Sequence, residues 1–153
     1  MQSAVDGRVV RDDTVWRRVI AGRAIVPGDA EGVALVTSEA LSFWGGFDFN
    51  TGTIIDAHHP LVGARGRAAS WRCRSARDHR PRPAVLLEAV RAGTAPAAIL
   101  TTGVDSFFAL ASIVADVMYG KSFPVDRAWS PPSFATLRNR MRLVVRSGAI
   151  RLT

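Results

Sequence analysis

The feature that most constrains the fold is an apolar periodic segment late in the chain, DSFFALASIVADVMYGK. Its large apolar side chains recur at helical spacing: Phe108, Leu110, Ile113, Val114 and Val117. Asp105 or Ser106 can cap the start of this segment, and Gly120 can end it. The pattern predicts an amphipathic helix whose apolar stripe packs against the rest of the domain.

Shorter segments before and after this helix predict the other elements. AVLLEAVR has helical spacing and is soon followed by Gly93, and TAPAAILTT indicates a buried strand between the two helices. PVDRAW predicts a further strand, and the last residues predict a hairpin around Ser147 and Gly148. The chain is therefore predicted to be an α/β domain with two main helices packed on several short strands.

Two turn signals organise the first half of the chain. RAIVPGDAEGVALVT predicts two short strands, 24–26 and 33–37, that form a hairpin or bulged pair around Pro-Gly-Asp. Asn50, Thr51 and Gly52 predict a second turn, which precedes a strand at 53–55. Residues 1–20 are interpreted as an N-terminal extension to which we assign no function.

Positive charge is concentrated in one segment. The chain has 153 residues and a formal net charge of +7, and residues 64–82 contain seven arginines against one acid, Asp78. The remainder is close to neutral, whereas a nucleic-acid-binding face spreads basic and aromatic residues over several elements. Nucleic acid is therefore a disfavoured partner. An alternative function of another class is a non-catalytic basic module that binds a polyanion or an acidic protein through this segment.

The chain has a single cysteine, Cys73, which excludes an internal disulfide and a multi-cysteine metal or cluster site within it. No run of about 18 apolar residues is present, and the first residues lack the apolar core of a signal peptide. We therefore expect a cytoplasmic protein without membrane contact and without metal ligands of its own.

The segment SFWGGFDFNTGTIIDAHHP combines aromatic residues with glycines in an unusual pattern. Gly45 and Gly46 follow Trp44 and permit positive φ angles and a close approach of another backbone or a ligand. Taken alone, this pattern also fits a tight connection with a half-buried tryptophan. His58 and His59 would point in opposite directions in an extended chain, which argues against a metal site formed by the pair.

Four segments, in the same order along the chain, resemble the small subunit, or swivel domain, of the aconitase X family. They are GRAIVPGDAEGVALV, LSFWGGFDFNTGTIIDAHHPLVG, AVLLEAVRAGTAPAAIL and ALASIVADVMYGKSFPV. The resemblance covers residues 21–153, with an atypical basic segment at 64–83. It implies a swivelling β/β/α-type α/β domain, with short mixed strands in a barrel-like arrangement, that closes over the active site of a larger partner.

The resemblance implies the small subunit of a heteromeric hydro-lyase, a dehydratase of a small hydroxy acid. The iron-sulfur cluster or metal is expected in the large partner subunit, so no cofactor is expected in this chain. We favour cis-3-hydroxy-L-proline as substrate, because a composition rich in arginine and alanine and poor in lysine suggests a GC-rich bacterial gene. Phosphomevalonate is the alternative substrate.

The arginine-crowded segment departs from the family pattern. Between the counterparts of Gly63 and Ala84, family members carry a strand of the type GRVLVLP and then a glycine-serine loop, GxGSSSxS, in which a serine acts in catalysis. That loop, expected within 75–83, is not present. Its place is taken by Arg77, Asp78, His79 and Arg80. The catalytic residue is therefore unknown, and we expect the chain to lack this central strand and to have impaired activity.

A shifted reading frame is our hypothesis for this departure. Read one base back, the possible codons of residues 69–74 permit a hydrophobic strand ending at proline, and those of 75–83 permit a loop rich in glycine and serine. The alternative is a divergent basic loop in an otherwise ordinary family member.

The resemblance also identifies positions that face the substrate or the partner. They are Ser42, Trp44, Gly45, Gly46, Asp48, His59, Pro60, Thr94, Ala95 and Pro96. The hydroxyl of Thr94 can either donate to a substrate carboxylate or cap the turn in which it lies, and the sequence does not distinguish the two.

Overall fold

The computed structural model describes residues 18–37, 39, 43–65, 69–73, 83–102, 106–128 and 136–152. Its strands are β1 (Arg18–Val26), β2 (Asp29–Val36), β3 (Phe47–Asp48), β4 (Thr53–Ile54), β5 (Ala69–Cys73), β6 (Ala98–Thr101), β7 (Val125–Ala128), β8 (Arg142–Arg146) and β9 (Ala149–Leu152). Its helices are α1 (Phe43–Gly46), α2 (Pro83–Ala92) and α3 (Ser106–Tyr119). The predicted turn at residues 50–52 lies between β3 and β4, which pair as a small antiparallel hairpin.

Seven strands close into a barrel in the order β1-β7-β6-β5-β2-β8-β9. The antiparallel pairing of β9 with β1 completes the circle, and β1 is also antiparallel to β7. Four adjacent strands, β2, β5, β6 and β7, run parallel to one another. β8 is antiparallel to both of its neighbours, β2 and β9. The predicted α/β class, with short mixed strands in a barrel-like sheet and two main helices, is confirmed.

The two main helices form the crossovers that parallel strands require. α2 connects β5 to β6 and ends before Gly93, whose φ of 73° stops the helix. α3 connects β6 to β7. The Ser112 hydroxyl of α3 donates to the Phe123 carbonyl at 2.6 Å and accepts from the Phe123 N–H at 3.1 Å. This pair of hydrogen bonds holds the segment that returns from α3 to β7.

Two apolar clusters lie on opposite faces of the sheet. One fills the barrel and includes Leu100 of β6 together with Ile20, Leu143, Val145 and Ile150. The other lies between the barrel and the helices and includes Ile99 of β6, Val125 of β7, Leu86 of α2 and Phe108 of α3. Consecutive residues of a strand point to opposite faces, so Ile99 faces the helices while Leu100 faces the barrel interior.

The predicted hairpin between the first two strands is wrong. β1 and β2 are separated by only two residues, yet β1 pairs with β7 and β9, and β2 pairs with β5 and β8. The β8–β9 hairpin inserts between them and pairs with both. The chain therefore turns a corner at Pro27 and Gly28, and each strand takes its partners from distant parts of the sequence.

The prediction that the arginine-crowded segment lacks the central strand is also wrong. Residues Ala69–Cys73 form β5, which pairs in parallel with β2 on one side and with β6 on the other. Pairing in a sheet is made by backbone groups, and β2 and β6 each offer a row of donors and acceptors to any chain that lies between them. The unusual side chains of this segment therefore do not prevent the strand.

The prediction that the large apolar residues of α3 pack against the rest of the domain is wrong. Phe108 is buried, but Leu110 and Ile113 are each 53% exposed and Val117 is 82% exposed. The buried face consists of Phe108 and smaller residues: Ala109, Ala111, Ser112 and Ala115. Small side chains let α3 approach the sheet and α2 closely, so the larger apolar residues are left on the outer surface.

Asp126 of β7 is a fully buried carboxyl group. It alternates with Val125, which faces the helices, and so points into the barrel. Its Oδ2 accepts a hydrogen bond from the Gly148 N–H at 3.0 Å, while its Oδ1 is buried and has no partner among the described residues. Burial raises the pKa of Asp126 above its ordinary value, because the charged form loses hydration.

We predict that Asp126 makes the stability of the chain depend on pH. A carboxyl group whose pKa is raised by folding stabilises the fold below its unfolded pKa, and this contribution is lost as the pH rises through the folded pKa. From about pH 4 upward, the free energy of unfolding of the wild type should fall relative to that of Asp126→Asn, by about 1.4 kcal/mol for each unit of pKa elevation. Urea unfolding at a series of pH values measures this difference.

Asp116→Asn is the matched control, because Asp116 lies exposed on α3. Its pH profile should follow that of the wild type. The prediction is wrong if the Asp126→Asn and wild-type profiles stay parallel between pH 4 and 8.

Candidate functional site

The four parallel strands end at one edge of the barrel. Their last residues are Val36 of β2, Cys73 of β5, Thr101 of β6 and Ala128 of β7. In folds of parallel strands and helices, ligands bind at the carboxyl ends of the strands, where the connecting loops begin. This carboxyl edge is therefore the candidate functional site.

β5 ends at Cys73 and α2 begins at Pro83, so residues 74–82 connect these two elements in the sequence. This segment includes the four residues that replace the family loop, Arg77, Asp78, His79 and Arg80, and all four lie outside the described residues. Cys73, the residue before this segment, ends β5 between β2 and β6 at the carboxyl edge.

The SFWGG motif also begins at the carboxyl edge, after β2, and it forms the short helix α1. Ser42 and the side chain of Trp44 lie outside the described residues. Gly45 has a φ of 77°, a conformation that a glycine adopts without strain. The ring centroid of Phe43 lies 5.8 Å from that of Phe108 and 5.7 Å from that of Phe47, and these contacts anchor α1 to the start of α3.

Gly46 and Asp48 shape the hairpin that follows α1. The carbonyl of Gly46 accepts hydrogen bonds from the N–H groups of Ile55 at 2.9 Å and Asp56 at 3.3 Å. The Asp48 carboxylate accepts from the Asn50 N–H and from the Thr51 hydroxyl, both at 2.9 Å. These bonds, that from Asn50 first, hold the pKa of Asp48 below its ordinary value. Both oxygens of Asp48 therefore stabilise the β3–β4 turn.

His59 is buried in a compact loop, residues 55–64, whereas His58 and Pro60 are exposed. The Nδ1 atom of His59 accepts a hydrogen bond from the Leu61 N–H at 3.1 Å. An imidazole that accepts at Nδ1 carries its hydrogen at Nε2 when neutral. This Nε2 is buried and has no partner in the part of the chain that the structure describes. The two histidines therefore face different surroundings.

Thr94, Ala95 and Pro96 lie between the end of α2 and the start of β6, at the edge opposite the carboxyl ends. The Thr94 hydroxyl lies 2.5 Å from the Phe49 carbonyl and 3.4 Å from the Ala89 carbonyl, and the short distance identifies Phe49 as its main acceptor. Thr94 thus ties the end of α2 to the β3–β4 hairpin. The described site residues are spread over α1, the β3–β4 hairpin, the loop at 55–64 and the turn before β6.

Sequence reasoning did not single out Arg23 and Arg127, which the pairing of β1 with β7 places directly opposite each other at the carboxyl edge. It also missed the exposed apolar face of α3. A period of 3.6 residues shows that a helix has an apolar face, but it does not show which of two apolar faces packs on the sheet. No signal in the sequence pairs Arg23 with Arg127, because 103 residues separate them and their contact comes from the strand order.

No group of three or more His, Cys, Asp or Glu side chains suited to a metal ion occurs among the described residues. Over the same residues, no helix has the length and apolar character needed to cross a membrane.

Comparisons with known proteins agree on one family. A sequence model described as the aconitase X swivel domain matches residues 19–152. The cis-3-hydroxy-L-proline dehydratase of Pseudomonas aeruginosa is 39% identical over 107 residues, which make up 70% of this chain but only 18% of that enzyme. The phosphomevalonate dehydratase small subunit of Methanocella arvoryzae is 31% identical over 98 residues, 64% of this chain and 74% of that subunit.

The fold agrees with these sequence matches. The crystal structure of Thermococcus kodakaraensis aconitase X aligns with a TM-score of 0.76 and 25% identity, over 88% of this chain and 98% of that chain. The chain thus corresponds to less than a fifth of the Pseudomonas enzyme and to most of the Methanocella subunit. Because the family match extends over nearly all of its described strands and helices, the chain belongs to the aconitase X swivel domain family.

Proposed function

We propose that the chain is the small, swivelling subunit of a hydro-lyase that dehydrates a small hydroxy acid together with a large catalytic partner. The observation that carries this proposal is the 39% identity to a dehydratase, in a chain whose match spans only 18% of that enzyme. The rest of the Pseudomonas enzyme has no counterpart in the matched segment. In the proposed assembly a separate large subunit supplies that part.

cis-3-hydroxy-L-proline is the favoured substrate, since the identity to the Pseudomonas dehydratase exceeds the 31% identity to the Methanocella subunit. Phosphomevalonate is the second candidate. It is supported by the match to 74% of a protein that is itself a separate small subunit. Both substrates carry a carboxylate and a hydroxyl group, so the two candidates need the same kind of chemistry.

Dehydration of a hydroxy acid needs a base to remove the proton next to the carboxylate and an acid to take the hydroxyl group. An iron-sulfur cluster or a metal ion of the large partner would supply the Lewis acid. This chain would contribute the carboxyl edge of its barrel and the short helix α1, which would cover the substrate and exclude water when the domain closes.

The loop at residues 74–82 decides how active this chain is. The family's glycine-serine pattern is absent there, and Ser75 is the one hydroxyl side chain in that span. Ser75 follows Cys73, the last residue of β5, by two positions in the sequence. Because the glycine-serine pattern that would arrange N–H groups around a serine alkoxide is absent, residues 74–82 should support at most slow proton removal.

We predict weak dehydratase activity that a restored loop increases. The chain is co-produced with a large aconitase X-type subunit of the same genome, and mass spectrometry follows loss of one water from cis-3-hydroxy-L-proline and from phosphomevalonate. Replacement of residues 74–82 by a glycine-serine loop should raise kcat by about 10²-fold or more, as a positioned base does. Ser75→Ala should remove the residual activity, and Ser122→Ala, at an exposed position after α3, should not.

Two outcomes would contradict the proposal. If the restored complex dehydrates neither compound, the chain is not a subunit of this kind of enzyme. If the original chain instead binds a polyanion with a steep salt dependence, and Arg72, Arg74, Arg77 and Arg80 are needed for that binding, the non-catalytic basic module is the better interpretation. Resequencing of the codons for residues 62–86 tests the frame hypothesis separately.

The outer face of α3 is our proposed contact surface for the large subunit. Leu110, Ile113 and Val117 lie three, four or seven positions apart on this helix, and Met118 follows Val117. Each of these four residues is more than half exposed. Asp116 is the one charged residue of α3. A contiguous exposed apolar surface of this kind marks an interaction site. In the Pseudomonas relative, the matched segment is part of a much larger chain. This supports a large polypeptide as the partner that buries the apolar outer face of α3.

We predict that Ile113→Lys and Val117→Lys weaken assembly with the large subunit without unfolding the chain. A lysine in an apolar interface loses its hydration without a compensating ion pair, so affinity should fall by about tenfold or more. Analytical ultracentrifugation of the co-purified subunits measures this, and thermal unfolding of the chain alone checks the fold. Val62→Lys is the control, because Val62 is 52% exposed but lies in the loop at 55–64. Equal affinities for all three variants would exclude this surface.

A further inference from the structure

Two arginines lie directly opposite each other at the carboxyl edge. Arg23 of β1 and Arg127 of β7 are Cα partners in the antiparallel pairing of these strands, and Arg127 is also the partner of Thr101 on β6. The strands approach closely here, since a Cβ atom at Gly22 would lie 2.8 Å from the Arg127 carbonyl oxygen. Gly22 therefore permits the approach that brings Arg23 beside Arg127.

Both arginine side chains leave the sheet on the side of the helices. Arg127 is two residues after Val125, which packs in the cluster between the sheet and the helices, so the two share a face. Directly opposite residues of an antiparallel pair also share a face, which places Arg23 there too. β6 ends at Thr101 at the same edge, and α3 begins five residues later, at Ser106. The arginines thus lie on the face and at the edge where α3 starts.

This pair of charges has no counter-charge within the described residues. Three other exposed arginines have one: Arg91 pairs with Glu88, Arg142 with Glu31, and Arg146 with Asp29. Arg23 and Arg127 are both exposed and form no ion pair with a described acid. Like charges directly opposite in a sheet are unfavourable. The first turn of α3 carries no acid either, and the helix dipole adds positive potential at this end.

We propose that Arg23 and Arg127 together bind the carboxylate of the small hydroxy acid. Each guanidinium presents paired N–H donors that match a carboxylate, and an anion between them offsets their mutual repulsion. The assignment of this anion to the substrate rests on the proposed function. A phosphate group offers similar acceptor oxygens, so phosphomevalonate could use the same pair through either of its anionic groups.

Arginine side-chain NMR of the full chain tests anion binding without relying on activity. cis-3-hydroxy-L-proline and, separately, inorganic phosphate are titrated at constant ionic strength. The Nε resonances of Arg23 and Arg127 should shift in a saturable manner, and Arg127→Gln should abolish the shift at Arg23. Arg151 is the internal control, because it is exposed on β9 away from this pair. Equal, non-saturating shifts at all three arginines would overturn the proposal.

The two probes also separate the two sources of the anion. Saturation by cis-3-hydroxy-L-proline at lower concentration than by phosphate supports a carboxylate site. Preferential saturation by phosphate overturns the assignment to a carboxylate and assigns the pair to a phosphorylated ligand. Because this measurement uses the chain alone, it remains decisive if the complex proves inactive, and so it separates failure of this site from failure of the proposed function.

Kinetics of the complex with the restored loop test the role in substrate binding. Arg23→Gln and Arg127→Gln should each raise KM by about tenfold or more, as loss of a charged hydrogen bond does, with kcat changed much less. Arg151→Gln makes the same change of charge elsewhere and should leave KM unchanged. An unchanged KM in the Arg23 and Arg127 variants would overturn the proposal. Loss of assembly at unchanged KM would also overturn it, since the pair would then bind an acidic group of the large subunit.

Discussion

The parallel pairing of β5 with β2 and β6 is the contact that joins the barrel into one sheet. Without it, β2 and β6 would each present a row of unpaired backbone groups beside an apolar core. An unpaired buried group costs about 1–3 kcal/mol, whereas the whole domain is stable by only about 5–15 kcal/mol. The same pairing sets the end of β5 at Cys73 between β2 and β6. One strand therefore supports both the stability of the domain and the shape of its carboxyl edge.

The packing of α3 explains why functional features gather on the helix side of the barrel. Its buried face is formed mainly by alanine and serine, which bring the helix close to the sheet and leave the larger apolar residues outside. Phe43 holds α1 against the start of this helix. Arg23 and Arg127 emerge beside it on the same face of the sheet. The proposed contact surface and the proposed anion site thus lie on one helical layer, one along its outer face and one at its beginning.

Much of the fold was predictable from local patterns in the sequence. Gly93 and Gly120 have positive φ angles where the helices were predicted to end, and the β3–β4 turn and the β8–β9 hairpin lie where the turn residues indicated. The failures concern pairing and orientation. Nearness in sequence predicts a hairpin of the first two strands, and the unusual side chains of β5 predict that this strand is missing. Neither nearness nor side-chain type determines which backbone lies beside which.

The sequence alone determined the class of fold, the family and most element positions, because helical periodicity, turn residues and the four family segments are local properties of the chain. Only the tertiary structure decided that large apolar residues of α3 face outward and that Thr94 binds the carbonyl of Phe49. It likewise decided that Asp126 is buried and that Arg23 lies beside Arg127. The physical reason is that these contacts join residues distant in sequence, and the order in which strands close the barrel brings them together.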